Sequence, residues 1–316
     1  MICAMTTFLK RISALFLMGL LTAGSAHARP FTIAESGREY KSLSEAVAAI
    51  GNGKGTILIA PGTYRQCAVQ QGGDIAYRAE KPGSVIFDAT ICEGKAALVL
   101  RGRAAQVEGI TFQNLYVPDG NGSGIRLERG DLTVKGSIFR NSEQGILTHN
   151  DPGATIRIER STFSGLGRCD RGLDCAHSIY IGHYGRLIVR DSRFEAGTGG
   201  HYIKSRANAV EIVHNSFDDS AGHATNYMID LPNGSAGLIE GNIMVQGKDK
   251  ENYSAFITIA PEGRARDSSS LIIRENNASF VPGLRRISTF VANWSEDAPQ
   301  IVENKLANGI RITDRR

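Results

Sequence analysis

SIYIGHYGRLIVRDSRF, residues 178–194, holds two short alternating runs of apolar and polar residues split by glycine. Its period is two, that of a strand with one buried face, not the 3.6 of a helix. GIRLERGDLTVKGSIF (124–139) and GILTHNDPGATIRIERSTF (145–163) repeat the pattern, broken at Gly, Asn or Pro. Each unit closes on a similar phrase: GITFQN at Phe112, GSIFRN at Phe139, RSTFSG at Phe163, DSRFEA at Phe194 and HNSFDD at Phe217. GNIMVQ at Met244, ENNASF near Ala278 and ENKLAN at Leu306 continue the series. From Phe112 to Leu306 seven intervals cover 194 residues, a mean near 28. Strands this short cannot bury an apolar face alone, but stacked units can, so the repeat predicts a solenoid in which each coil pairs with the next.

TILIAPGTY (56–64), DIAYRAE (74–80), SVIFDA (84–89) and AALVLRG (96–102) read as earlier coils. Before them, Ser42 to Ile50 is helical in pattern, with Ser42 and Glu45 spaced as a capping box. Such a helix would cover the open end of the solenoid, where unpaired strand edges invite aggregation. The fold class is therefore all-β, with a capping helix at the N-terminal end and one elongated domain over residues 29–316.

Residues 1–28 read as a secretory signal peptide: Lys10 and Arg11 precede an apolar run, Ile12 to Leu21, that ends in Ala26-His27-Ala28. Without them the formal charge falls from +4 to about +2. No later segment is apolar for the length of a membrane helix. The expectation is an exported, periplasmic or extracellular monomer, not inserted in a membrane after cleavage and, without a basic stripe, not a nucleic-acid binder. Four cysteines remain, an even count in an oxidising compartment. Cys169 and Cys175 would close a small loop. Cys67 and Cys92, about one repeat apart, would bridge neighbouring coils.

The entrance helix followed by GTILIAPGTY (55–64), together with the recurring Asn-x-Phe phrase, resembles the right-handed parallel β-helix proteins of the pectate-lyase-like type. The resemblance covers nearly all of residues 29–316 and implies a right-handed, single-stranded parallel β-helix. That scaffold serves lyases, hydrolases, epimerases and adhesins, so function rests on the side chains it presents.

In such a coil, equivalent positions of neighbouring coils lie ~4.8 Å apart. If Ile179, Ile203 and Ile229 point inward, Tyr180, Lys204 and Asp230 point outward on three successive rungs, with His149 on the rung before. Tyr202 and Arg206 flank Lys204 on the same face. All six histidines after the signal segment (His149, His177, His183, His201, His214, His223) fall within 75 residues of 288, a cluster typical of acid/base chemistry or metal ligation. GLGRCDRGLDC (165–175) lengthens one coil to 31 residues and would wall a groove.

Plainer readings stand beside these. Lys204 and Asp230 make an ordinary ion pair, His177 and His201 bond to backbone at a turn, and His214 is a turn residue. Asp218 and Asp219 form an Asx-type turn, and Tyr180 and Tyr202 stack on a sugar without chemistry.

The convergence of Tyr, Lys, Arg, His and Asp points to a polysaccharide-active enzyme, foremost a lyase on uronic-acid chains. Elimination needs a neutraliser for the uronate carboxylate, a base for the neighbouring proton and an acid for the leaving oxygen. Lys204 fits the base and Arg206 the neutraliser, with Tyr180, Tyr202 or His201 as the acid. Asp230 would orient Lys204 or bind calcium. His149, His177, His183, Tyr227, Asp230 and Asn233 are candidate substrate contacts.

IKSRANAVEIVHNSF (203–217) also resembles the lysine rung of the chondroitinase-B and alginate-lyase group, which implies Lys204 as base. The Arg-His-Gly motif of that group is replaced here by IDLPNG (229–234). GGHYIKSRA with YMIDLPNG and APEG is closer to a subgroup of bacterial β-helix proteins, a resemblance that supports a site here without naming its substrate. Polygalacturonase and pectate-lyase motifs are absent, and the single tryptophan is Trp294. The alternatives are a C5-epimerase or glycoside hydrolase on the same scaffold, or an exported protein that grips an envelope or extracellular glycan without catalysis.

Overall fold

The computed structural model describes residues 29–316; the expected signal peptide, residues 1–28, lies outside the described residues. The chain winds so that each full turn gives one strand to each of three parallel sheets. One such turn is made by Ala209–Val213, Ser216–Asp218 and Ile229–Leu231. The second and third sheets have ten strands each, and the first has twelve because Phe31–Ile33 and Arg38–Tyr40 add an antiparallel pair at its end. The all-β solenoid read from the repeat is the fold observed.

Alternation sets what lies inside. Lys54–Ile59 buries Gly55, Ile57 and Ile59 and leaves the residues between them more open. Because parallel pairing keeps register from turn to turn, the phrase-ending aromatics stack. Phe112, Phe139, Phe163, Phe194 and Phe217 lie ring over ring, centroids 4.8–5.1 Å apart and planes within 14°. Met244, Ala278 and Leu306 carry the same column onward.

The asparagines of the phrase form a second column. Asn215, Asn242 and Asn276 each donate from Nδ2 to the Oδ1 of the next asparagine, ending at Asn304, at 3.0, 2.8 and 2.9 Å. Each Oδ1 also accepts the backbone N–H of the preceding rung's asparagine. An amide carries donor and acceptor at once, so it can pass a bond upward and downward indefinitely. Ser137, Ser161 and Ser192 do the lighter version, each hydroxyl accepting one N–H from the rung before. The residue before each of the four asparagines sits in the left-handed region, His214 at φ 56° among them. His214 is thus the turn residue of the plainer reading.

At the N-terminal end, Ser42 caps the helix Leu43–Ile50 by accepting the N–H of Glu45 at 3.2 Å. The helix buries Leu43, Ala46 and Val47 against the end of the core, as expected. Cys67 and Cys92 are disulfide-bonded between neighbouring turns, and Cys169–Cys175 closes the loop in the long coil. Among the described residues no helix is long and apolar enough to cross a membrane.

Phe163, fully buried between two rings, tests the column. Phe163→Ala removes both stacks and opens a cavity, so urea unfolding should show a loss of about 3–5 kcal/mol.

Candidate functional site

The third sheet carries the site. Ile179–Ile181, Ile203–Ser205 and Ile229–Leu231 are three-residue strands whose first members, Ile179, Ile203 and Ile229, are fully buried and paired rung to rung. Their central residues, Tyr180, Lys204 and Asp230, therefore form one outward column in the expected order.

Lys204 and Arg206 share a carboxylate. Both donate to Glu262, which reaches over from the loop after Ala255–Ile259. Arg206 also donates from Nε to the Tyr180 hydroxyl at 3.0 Å and to Asn233 Oδ1. Both cations lie within 5.8 Å of the Tyr180 ring centroid, close enough for cation–π attraction. Burial would raise the Glu262 carboxyl, but the bonds from Lys204 and Arg206 outweigh it and hold it at about 2.

Asp230 lies beneath these groups, 2 % exposed. Its Oδ1 accepts from Thr258 Oγ1 at 2.7 Å, and its Oδ2 lies 3.5 Å from Lys204 Nζ and 3.4 Å from His201 Nε2. Burial raises its carboxyl above the usual range even though Lys204 and Thr258 pull the other way. Calcium takes six to eight oxygen ligands. A carboxylate already shared by an ammonium, an imidazole and a hydroxyl does not fit that ion.

His177, His201 and Tyr227 form a parallel column three residues before the first one. His201 lies between the other two rings, at centroid distances of 4.9 and 5.4 Å. His177 Nδ1 accepts the backbone N–H of His201, and His201 Nδ1 accepts that of Tyr227. The Nδ1 atoms are therefore unprotonated and the Nε2 atoms carry the hydrogen. Burial, with Lys204 nearby, brings His201 down to about 3; burial and His201 hold His177 well below its ordinary value. The two imidazoles stitch rungs together as the asparagines do elsewhere. Gly200, at φ 62°, makes room for this: a Cβ there would meet Ala176 O at 2.0 Å and His177 Nδ1 at 2.7 Å.

A cleft of about 440 Å³ opens over Tyr180, His177, His201, Lys204 and Arg206, with Asp174 and Cys175 of the disulfide loop on one wall. The model for the family described as right handed beta helix region matches residues 96–259. The chain belongs to the right-handed β-helix family. Among solved structures this β-helix protein is similar to the pectin methylesterase from Aspergillus niger in deglycosylated form, at 14% identity and TM-score 0.53, over 82% of this chain and 88% of that one. The same enzyme in penultimately deglycosylated form gives the same values. At this identity the likeness shows the fold alone. No curated protein matches the chain.

In this β-helix protein, several expected site residues stand elsewhere. Tyr202 precedes its strand, where alternation does not apply, and turns into the core against Phe194 and Phe217. Its hydroxyl donates to Asp219 at 2.7 Å, so it is no acid for a substrate. His149 is exposed but lies past the column; Leu147 holds the place beside Tyr180. His183 is exposed at the corner after Ile181, outside the cleft, its N–H bonded to Asn150. Tyr227 is buried against Ala255 and Ala292, its hydroxyl taken by Asn252. Asn233 holds Arg206. Asp218 makes the expected turn with Ser220, but Asp219 does not: it is fully buried and paired with Lys250 at 3.0 Å.

Glu262 and Thr258 went unread in the sequence. Thr258 is simply the next member of the column after Asp230. Glu262 had a signal in APEG (260–263), which repeats the form of LPNG (231–234) one turn later.

The unfolded chain binds a proton on His201 near pH 6.5, and the folded chain refuses it down to about pH 3. Stability from neutral His201 is therefore complete above 6.5 and lost as pH falls through that window. The thermal midpoint should drop between about pH 7 and about pH 4. The drop should be shallower in His201→Asn, and equal slopes would contradict this account.

Proposed function

We propose that this β-helix protein cleaves uronic-acid polysaccharides by β-elimination in the cleft over the third sheet. The observation that carries the reading is that Lys204 and Arg206 already clasp a carboxylate, that of Glu262, beside the Tyr180 hydroxyl. A uronate carboxylate competes for the same two cations, and Arg206, held in place by Asn233, neutralises it. Lys204 takes the proton from the carbon next to that carboxylate, the bond to the leaving oxygen breaks, and a carbon–carbon double bond forms. Tyr180 gives its proton to the leaving oxygen, and the proton taken up by Lys204 returns to Tyr180 through water. Lys204 acts in its neutral form, its proton released to water in the cleft, and Asp230, 3.5 Å away, orients it.

A second reading has support of its own. Glu262 stays ionised to about pH 2 and is half-open to the cleft, so its carboxylate is placed to hold and orient a water against an ester carbonyl, while Lys204 and Arg206 face the oxygen that gains charge. Together with the likeness to pectin methylesterase, this supports de-esterification of a methylated uronan. The two disulfides support an oxidising, exported setting for either reaction.

One incubation separates them. The chain covering residues 29–316 is mixed with a panel of free and methyl-esterified uronans, and ultraviolet absorbance and methanol are followed together. Elimination predicts a rising unsaturated-uronate absorbance that Lys204→Ala reduces by at least about 100-fold. Methanol without absorbance, lost in Glu262→Gln, would replace elimination with ester hydrolysis. Silence in both would leave a glycan-binding role.

A further inference from the structure

The outward column of the third sheet does not end at Tyr180. Below it come Leu147, Arg126 and Val99, one per rung. A second cleft of about 440 Å³ opens over Arg126 and Leu147, and it shares Tyr180, Asp174 and Cys175 with the cleft over Lys204. The two are one groove running along the solenoid axis.

Arg126 is unusual within it. Its Nε is buried and has no hydrogen-bond partner. Of the acids nearby, Glu128 receives Lys95 at 2.7 Å and also Arg101, Arg101 and Lys95 hold Glu93, and Asp119 and Asp174 line the same cleft without bonding to Arg126. Glu128 and Asp119 act on Arg126 only through space, too weakly to offset the burial that lowers its affinity for the proton. Arg126 is only half-buried, but its covered Nε–H is shielded from solvent and has no protein group to donate to, and an unpaired donor of a charged group is costly. A guanidinium with its fork unused, on the floor of a groove, is built for a planar anion.

We propose that Arg126 is a second anion subsite of the groove, binding a sugar carboxylate three rungs from Lys204. Three rungs are ~14 Å, roughly three sugar-to-sugar steps, so a polymer chain of four or more sugars reaches both cations at once. This rests on the reading of the groove as an acidic-glycan site, and it makes that site selective for length: an oligomer of three sugars or fewer bound at Lys204 and Arg206 does not reach Arg126 as well, whereas longer ones bridge both.

The test follows the Arg126 Nε–Hε resonance in the full chain, assigned by its disappearance in Arg126→Lys, during titration with sodium glucuronate and then with a six-residue polyuronate. Both titrants should shift the resonance to saturation. Calorimetry with Arg126→Ala should show hexamer affinity reduced by about tenfold or more, with trimer affinity unchanged. Arg126→Lys, which keeps the charge and loses the fork, should lie between. A resonance indifferent to both titrants, or equal hexamer affinity in the wild-type and Arg126→Ala chains, overturns the subsite. A response to glucuronate in a protein that neither binds nor cleaves the hexamer keeps the anion subsite and removes the polysaccharide reading instead.

Discussion

Register between successive turns is the constraint on which everything else depends. A parallel pair of strands fixes each residue over its counterpart one rung away, and the side chains inherit that spacing. In the core this stacks Phe112 to Phe217 into one column of rings. At the corner it sets Asn215, Asn242, Asn276 and Asn304 within hydrogen-bonding reach of one another. Either column would fail if one turn slipped by a residue, since every side chain of the slipped strand would exchange inside for outside. The amides are directional and the rings are not. The first select the register, and the second add buried apolar surface that holds it.

The same rule makes the site. Tyr180, Lys204 and Asp230 are close because they share a position in the repeat, not because a loop gathers them. Stacking like positions also brings charges together, and the protein answers by alternating them: lysine over aspartate, with Thr258 next. Depth then separates the roles. Asp230 is covered and cannot touch a large ligand, while Lys204 above it borders the cleft and Glu262 stands at the open edge. His201 belongs to the covered layer. Its two ring faces and its Nδ1 are all occupied, so two of the clustered histidines that look like chemistry in the sequence, His177 and His201, join rungs instead.

This explains which parts of the molecule could be read in advance. Alternation inside Ile203–Ser205 is a local property, so the outward placement of Lys204 follows from three residues. Tyr202 lies one residue before that strand, where the backbone turns and the two-residue period no longer holds. His149 fails for a related reason: the long coil places the strand before Tyr180 at Gln144–Thr148, and only the pairing of Leu147 with Tyr180 fixes which residue shares the column. Glu262 comes from a loop two rungs beyond Lys204, marked only by the likeness of APEG to LPNG one turn earlier. Arg126 was a different kind of silence, since its distinction is the lack of partners, which depends on where Glu128 and Glu93 find theirs.

The groove from Arg126 to Lys204 lies along the axis of the solenoid, and the disulfide loop lends Asp174 and Cys175 to both of its halves. A trough of this kind differs from a pocket in what it asks of a linear molecule. A pocket admits a terminus, whereas a trough receives a chain broadside, at any point along its length. The lattice of rungs that stabilises the fold thus also favours encounters with the interior of a polymer over encounters with its ends.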